Sequence, residues 1–257
     1  MTELPLVEVP GGRVEYLDLP GDPCHPPLLF LHEGLGSVRL WRGWPEAVRA
    51  ATGRRVVAYS RLGHGFSDLP PAPRTVGFMH QEAAVVVPAL RLALGLTAPV
   101  LVGHSDGGSI ALVHAASHPV SGLVVLAPHV IAEPAALVEI TAARDAYRDG
   151  DLATRMARHH RDAGVTFRNW SDVWLSDEFR TWDLRPLLAG ITAPVLAIQG
   201  TADPYGTVLH VEAVRDGASG PVELLVLDCA HAPHLEAAEP VTAAVVRFLA
   251  ALPDARA

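Results

Sequence analysis

The chain has 257 residues, of which 49% are apolar and 19% charged, and its net charge is −8. That is a globular composition, too apolar for a disordered tail, and the acidic balance argues against nucleic acid or an anionic membrane as a partner. Two cysteines, Cys24 and Cys229, are too few for a disulfide framework or a zinc site.

The first residues, Met1-Thr2-Glu3-Leu4-Pro5, lack the basic and apolar regions of a signal peptide. No apolar run reaches the roughly 20 residues that span a bilayer, so a cytoplasmic protein with no membrane partner is expected. Segments 7–9 and 13–19, joined by Pro10-Gly11-Gly12, predict a hairpin. Segment 27–32 (PLLFLH) is a short continuous apolar run, the mark of a strand buried on both faces. A helix is expected over 40–52, ended by Gly53, then a strand over 55–59. The next helix spans 76–94, with Pro88 expected to kink it. Strand 99–103, helix 107–117 and strand 122–126 follow. Strands 194–199 and 222–227 and a helix over 237–252 close the chain. Buried strands alternating with helices predict a parallel sheet covered on both faces.

Segment 130–186 breaks this rhythm. It holds no strand pattern, and helices are expected over 134–147, 152–161 and 170–179, with a turn before Pro186. It reads as a helical cap lying over the C-terminal edge of the sheet. The expected organisation is a core of residues 1–129 and 187–257 with a cap of 130–186.

The sharpest local signal is Gly103-His104-Ser105-Asp106-Gly107, a G-x-S-x-G between a buried strand and a helix. A nucleophile on such a strained turn leaves no room for side chains two residues to either side, and the two glycines remove those collisions. The N–H of Asp106 then points into the site at a helix N-terminus, where a developing oxyanion is best stabilised. A serine needs a base and an orienting acid. Strand 194–199 runs into Asp203 and strand 222–227 into His231, both at C-terminal strand ends, where open α/β sheets gather ligands. Asp203 leads as the acid, with Glu133 as the alternative. Among the other histidines, His104 is expected to pack, His159 and His160 to be solvated, His32 and His64 to lie behind the site, and His234 to sit on the surface. The loop His32-Glu33-Gly34-Leu35-Gly36 offers a second oxyanion donor, the N–H of Gly34, with Glu33 beside it.

These pieces resemble the α/β-hydrolase superfamily along nearly the full chain. The matching segments are LHEGLGS at 31–37, YSRLGHGFSD at 59–68, GHSDGG at 103–108, QGTADPYG at 199–206 and DCAHAPHLEAAEP at 228–240. The resemblance implies an α/β fold with an eight-stranded, mostly parallel sheet, a helical cap after strand six, and a triad of Ser105, Asp203 and His231. Two departures stand out: Glu33 replaces the glycine of the usual His-Gly dipeptide, and Ser60 stands where the D-R-x-G-x-G-x-S turn has Asp.

The side chain of Asp106 is expected to cap the first turn of its helix, and Glu33 to orient water or hold its loop. Phe167, Trp170 and Trp174 recur at helical spacing and give the cap one aromatic face. With Glu33, Trp41 and His129 they make the candidate walls of a pocket for a small-molecule substrate. One inward arginine of the cap would suit a substrate carboxylate. The chemistry expected is hydrolysis of small apolar carboxylic esters, thioesters or lactones through an acyl-enzyme. The alternatives are C–C hydrolysis of aromatic ring-cleavage products and, from a different class, a non-catalytic receptor or scaffold. Metal ligands and dinucleotide fingerprints are missing from the sequence, so no cofactor or metal is expected.

Overall fold

The computed structural model describes residues 3–253; residues 1–2 and 254–257 of the expected core, including the first two residues of the N-terminal reading, lie outside the described residues. Eight strands form one sheet: β1 (Leu6–Val9), β2 (Gly12–Leu19), β3 (Leu28–Leu31), β4 (Val56–Tyr59), β5 (Val100–His104), β6 (Gly122–Leu126), β7 (Val195–Gly200) and β8 (Val222–Leu227). Their order is β1-β2-β4-β3-β5-β6-β7-β8. β2 runs antiparallel to both β1 and β4, and every other pairing is parallel. The eight-stranded, mostly parallel sheet is the one the resemblance implied.

The continuous apolar runs have a physical cause. Every residue of β3 to β7 is buried, so both faces of each strand need apolar side chains. Alternate residues feed two separate cores. Leu29, Leu31, Val57, Tyr59, Leu101 and Val125 face one way. Leu28, Phe30, Val56, Ala58, Val100 and Val124 face the other.

Helices α1 (Trp44–Thr52), α2 (Phe78–Gln81), α3 (Val87–Ala93) and α4 (Asp106–Ala115) precede β6. Between β6 and β7 come α5 (Pro134–Asp149), α6 (Leu152–Met156), α7 (Ala163–Trp174) and two 3-10 turns, Glu178–Thr181 and Arg185–Gly190. Helices α8 (Leu209–Gly217), α9 (Pro233–Glu236) and α10 (Ala238–Ala250) complete the order. Among the described residues, no helix is long and apolar enough to cross a membrane.

Several elements differ from expectation. The helix expected over 40–52 is broken: a 3-10 turn, Val38–Trp41, is followed by Arg42 and Gly43 at φ 52° and 85°, and only then by α1. The helix over 76–94 does not simply kink at Pro88. A π-helical turn, Glu82–Val86, separates α2 from α3 and absorbs the lost N–H of that proline. The cap helix expected over 170–179 lies at 163–174, started by Asp162, whose side chain accepts from the Val165 N–H at 2.9 Å. Helix α8 was not anticipated.

β3 pairs with β4 on one side and β5 on the other. The sheet therefore grows in both directions from this point, and the C-terminal ends of β3 and β5 are where open α/β sheets bind ligands.

Candidate active site

Ser105 stands at the end of β5 with φ 52° and ψ −120°. A non-glycine residue at positive φ is strained and persists only where its surroundings fix it. Here the Ser105 N–H donates to the Leu126 carbonyl at 2.9 Å, and α4 begins at the next residue. The flanking glycines are required sterically. A Cβ on Gly103 would strike the Gly107 carbonyl, and one on Gly107 would strike the backbone of Leu31 and His32.

His231, on the loop after β8, donates from Nδ1 to Asp203 Oδ2 at 2.8 Å. Asp203 follows β7 and also accepts from Gln199 Nε2 and from the Tyr205 N–H, each at 2.8 Å. Burial works to raise the Asp203 carboxyl, but the His231 hydrogen bond and charge and these donors outweigh it and hold the group below the usual carboxylate range. With Nδ1 committed to Asp203, Nε2 of His231 is the nitrogen able to take a proton. The ring lies 5.1 Å from that of His104, the neighbour of Ser105, and the His231 carbonyl is hydrogen-bonded to His104 Nε2 at 2.7 Å. Glu133 is engaged elsewhere: it accepts from the N–H and hydroxyl of Thr207 and sits 3.2 Å from His210.

The loop after β3 is held from behind. Arg61 donates to the His32 carbonyl and, at 2.9 Å, to that of Glu33, while His64 Nε2 is 2.9 Å from the Gly34 carbonyl. Gly34 faces the cap: a Cβ there would enter the Trp170 indole and come 3.2 Å from Asp106 Oδ2. Glu33 folds over Gly36, and its carboxylate is 3.6 Å from His104 Nδ1. Burial pushes Glu33 up, but the neighbouring His104 imidazole, with help from His234, brings it down to about 2.

The Asp106 side chain does not cap its helix. It is 1% exposed, accepts from Trp174 Nε1 at 3.2 Å, and lies 4.0 Å from Arg61. Burial raises its pKa, against the opposing charges of Arg61 and Arg74 and the Trp174 bond. The reason for the departure is the cap: an indole donor arriving from α7 takes the oxygen that an isolated helix would turn onto its own backbone.

Of the expected pocket residues, His129, Trp170 and Trp174 gather here. The His129 ring lies 5.0 Å from Trp174 and 6.0 Å from His231. Trp41 does not. It packs in the core with Phe30, Trp44 and His234, because the turn carrying it points to the sheet face away from the cap. His234 is therefore buried rather than on the surface. His160 is buried too, bridging the Gly65 N–H and the Leu35 carbonyl at 3.0 Å each. Sequence reasoning assigned no role to Arg61, Gln199 and Tyr205, although Arg61 lies within the matching segment YSRLGHGFSD and Gln199 and Tyr205 within QGTADPYG.

Residues 26–169 match the family model described as alpha/beta hydrolase fold. Among curated proteins, the chain is 36% identical over 116 residues to the sn-1-specific diacylglycerol lipase ABHD11 of Mus musculus, covering 44% of this chain and 36% of that protein. It is 32% identical over 97 residues to the proline iminopeptidase of Lactobacillus delbrueckii subsp. lactis, covering 38% and 33%. The chain thus spans about a third of the length of these relatives. Among solved structures, the enol-lactonase from Burkholderia xenovorans LB400 superposes with a TM-score of 0.74 at 22% identity, covering 96% of this chain and all of that one.

Proposed function

The chain belongs to the α/β-hydrolase family, and from that premise we propose that it is a serine hydrolase of small apolar carboxylic esters, thioesters or lactones. The observation that carries this reading is the 2.8 Å bond between His231 and Asp203 on the loops after β8 and β7, with the His231 ring 5.1 Å from that of His104, the neighbour of the strained Ser105. The aromatic walls, Trp170, Trp174 and His129, favour an apolar acyl group of modest size.

In this reading His231 Nε2 takes the proton of Ser105 Oγ as that oxygen attacks the carbonyl carbon. The N–H groups of Asp106 and Gly34 receive the negative charge that develops on the carbonyl oxygen. His231 then passes its proton to the leaving alcohol, thiol or lactone oxygen, and the C–O or C–S bond breaks to leave an acyl-Ser105 ester. Water, deprotonated by His231, attacks that ester and releases the acid. Asp203 stays ionised throughout and stabilises the imidazolium.

Replacing Ser105 by Ala should lower kcat on p-nitrophenyl esters by about 10⁴–10⁶ and abolish stoichiometric labelling by a fluorophosphonate. Undiminished turnover in the Ser105→Ala variant would refute the assignment.

A further inference from the structure

A cleft of about 400 Å³ opens between the loop after β3 and the cap around α6. Its lining is apolar at Leu35, Leu40, Leu152 and Met156, and basic at Arg42 and Arg158, and it includes His159. Arg155 also lines it but is 3.4 Å from Asp151. Arg42 and Arg158 form no ion pair among the described residues. His159 registers their field: burial, then the charges of Arg42, Arg158 and Arg39, hold it below its ordinary value. The one carboxylate in the wall, Glu33, is engaged by His104. On a chain of net charge −8, this is a local excess of positive charge. The cleft borders the loop after β3: Glu33 and Leu35 line it, and Gly34, between them, faces Asp106 and Trp170.

We propose that this cleft binds the far end of the substrate and that the preferred substrate is an ester whose apolar acyl chain ends in a carboxylate. The chain length lies along Leu35, Leu40 and Met156, and the terminal anion meets Arg42 and Arg158. Arginine suits that task, since its guanidinium stays charged and matches carboxylate geometry. The proposal rests on the reading of Ser105 as nucleophile for where the scissile bond lies, but not for whether the cleft takes an anion.

The test compares p-nitrophenyl hydrogen suberate with p-nitrophenyl octanoate, which share a chain length and differ in the terminal charge. The expected result is a kcat/KM about tenfold or more higher for the anionic ester, expressed mainly in KM. In the Arg42→Gln/Arg158→Gln double variant the gap should close, and in the wild type it should shrink at high salt. Equal kcat/KM for the two esters in the wild type, or a preference that survives in the double variant, overturns the proposal. A second measurement separates the two ideas: calorimetric titration of monomethyl suberate into Ser105→Ala, with and without the arginine substitutions. Arginine-dependent binding with no ester turnover by the wild type would sink the nucleophile and keep the subsite. Turnover with no arginine-dependent binding would do the reverse.

Discussion

Gly34 is where the loop after β3, the turn at Ser105 and helix α7 press on one atom. Its missing Cβ would lie inside the Trp170 indole and against Asp106 Oδ2. Trp170 cannot retreat easily, since it is 7% exposed and packs against Phe167. The Gly34→Ala variant must therefore move either the loop or the cap. A misplaced donor is expected to lower kcat/KM on p-nitrophenyl esters by about 10²–10³, with the far-UV spectrum unchanged. Steady-state kinetics decide it, and a variant as fast as the wild type would put the second donor elsewhere. The candidate triad residues could be picked from the sequence because each lies within a few residues of the C-terminal end of a strand-like apolar run. The side chain of Asp106 could not be read, because its partner, Trp174, is 68 positions away and reaches it only through the cap. The packing of Trp41 with Phe30 and Trp44 was hidden for a related reason: nearness in sequence to the loop after β3 does not say which face of the sheet a turn will supply.

Among the elements, α7 carries the aromatic face of the site, with Phe167, Trp170 and Trp174 buried along it. Its first turn is closed by Asp162, which accepts from the Val165 N–H. Asp162→Ala should cost about 1 kcal/mol of stability, read from the denaturant midpoint at unchanged slope. An unmoved midpoint would mean that contacts such as the Thr166 hydroxyl on the Gly63 carbonyl hold the helix without the cap residue. This helix was placed seven residues late at its start because Gly164 lies in its first turn, where a helix tolerates glycine but a propensity reading does not. The break before α1 was hidden because Arg42 takes a left-handed conformation that arginine rarely adopts. Helix α8 was lost behind the turn-like run Asp203-Pro204-Tyr205-Gly206. The buried strands were legible throughout, since a strand covered on both faces leaves an uninterrupted apolar run.

Taken whole, the molecule buries an unusual number of imidazoles, most of them in the loops around the site. His32, His64, His114, His129, His160 and His234 are each at most 3% exposed. Burial, reinforced for His32 and His64 by the charges of Arg61 and Arg74, holds His32, His64 and His129 well below the ordinary imidazole value of about 6.5. It takes His114 and His160 to about 4 and His234 to about 3. Each stays neutral in the folded protein over a range in which the unfolded chain, titrating near 6.5, takes up a proton. Their contribution to stability is thus complete above about pH 6.5 and is lost as the pH falls, each group adding up to about 1.4 kcal/mol per pH unit. For His114 and His160 the loss ends near pH 4, and for His234 near pH 3. The carboxylates held low, Glu33 and Asp203, add their own losses only further into acid. Unfolding between about pH 7 and pH 5 should therefore be accompanied by uptake of several protons, and the denaturant midpoint should fall steeply across that interval. A midpoint that stays level from neutral pH down to the carboxylate range would show that these imidazoles are not neutral and sealed from water in the folded protein.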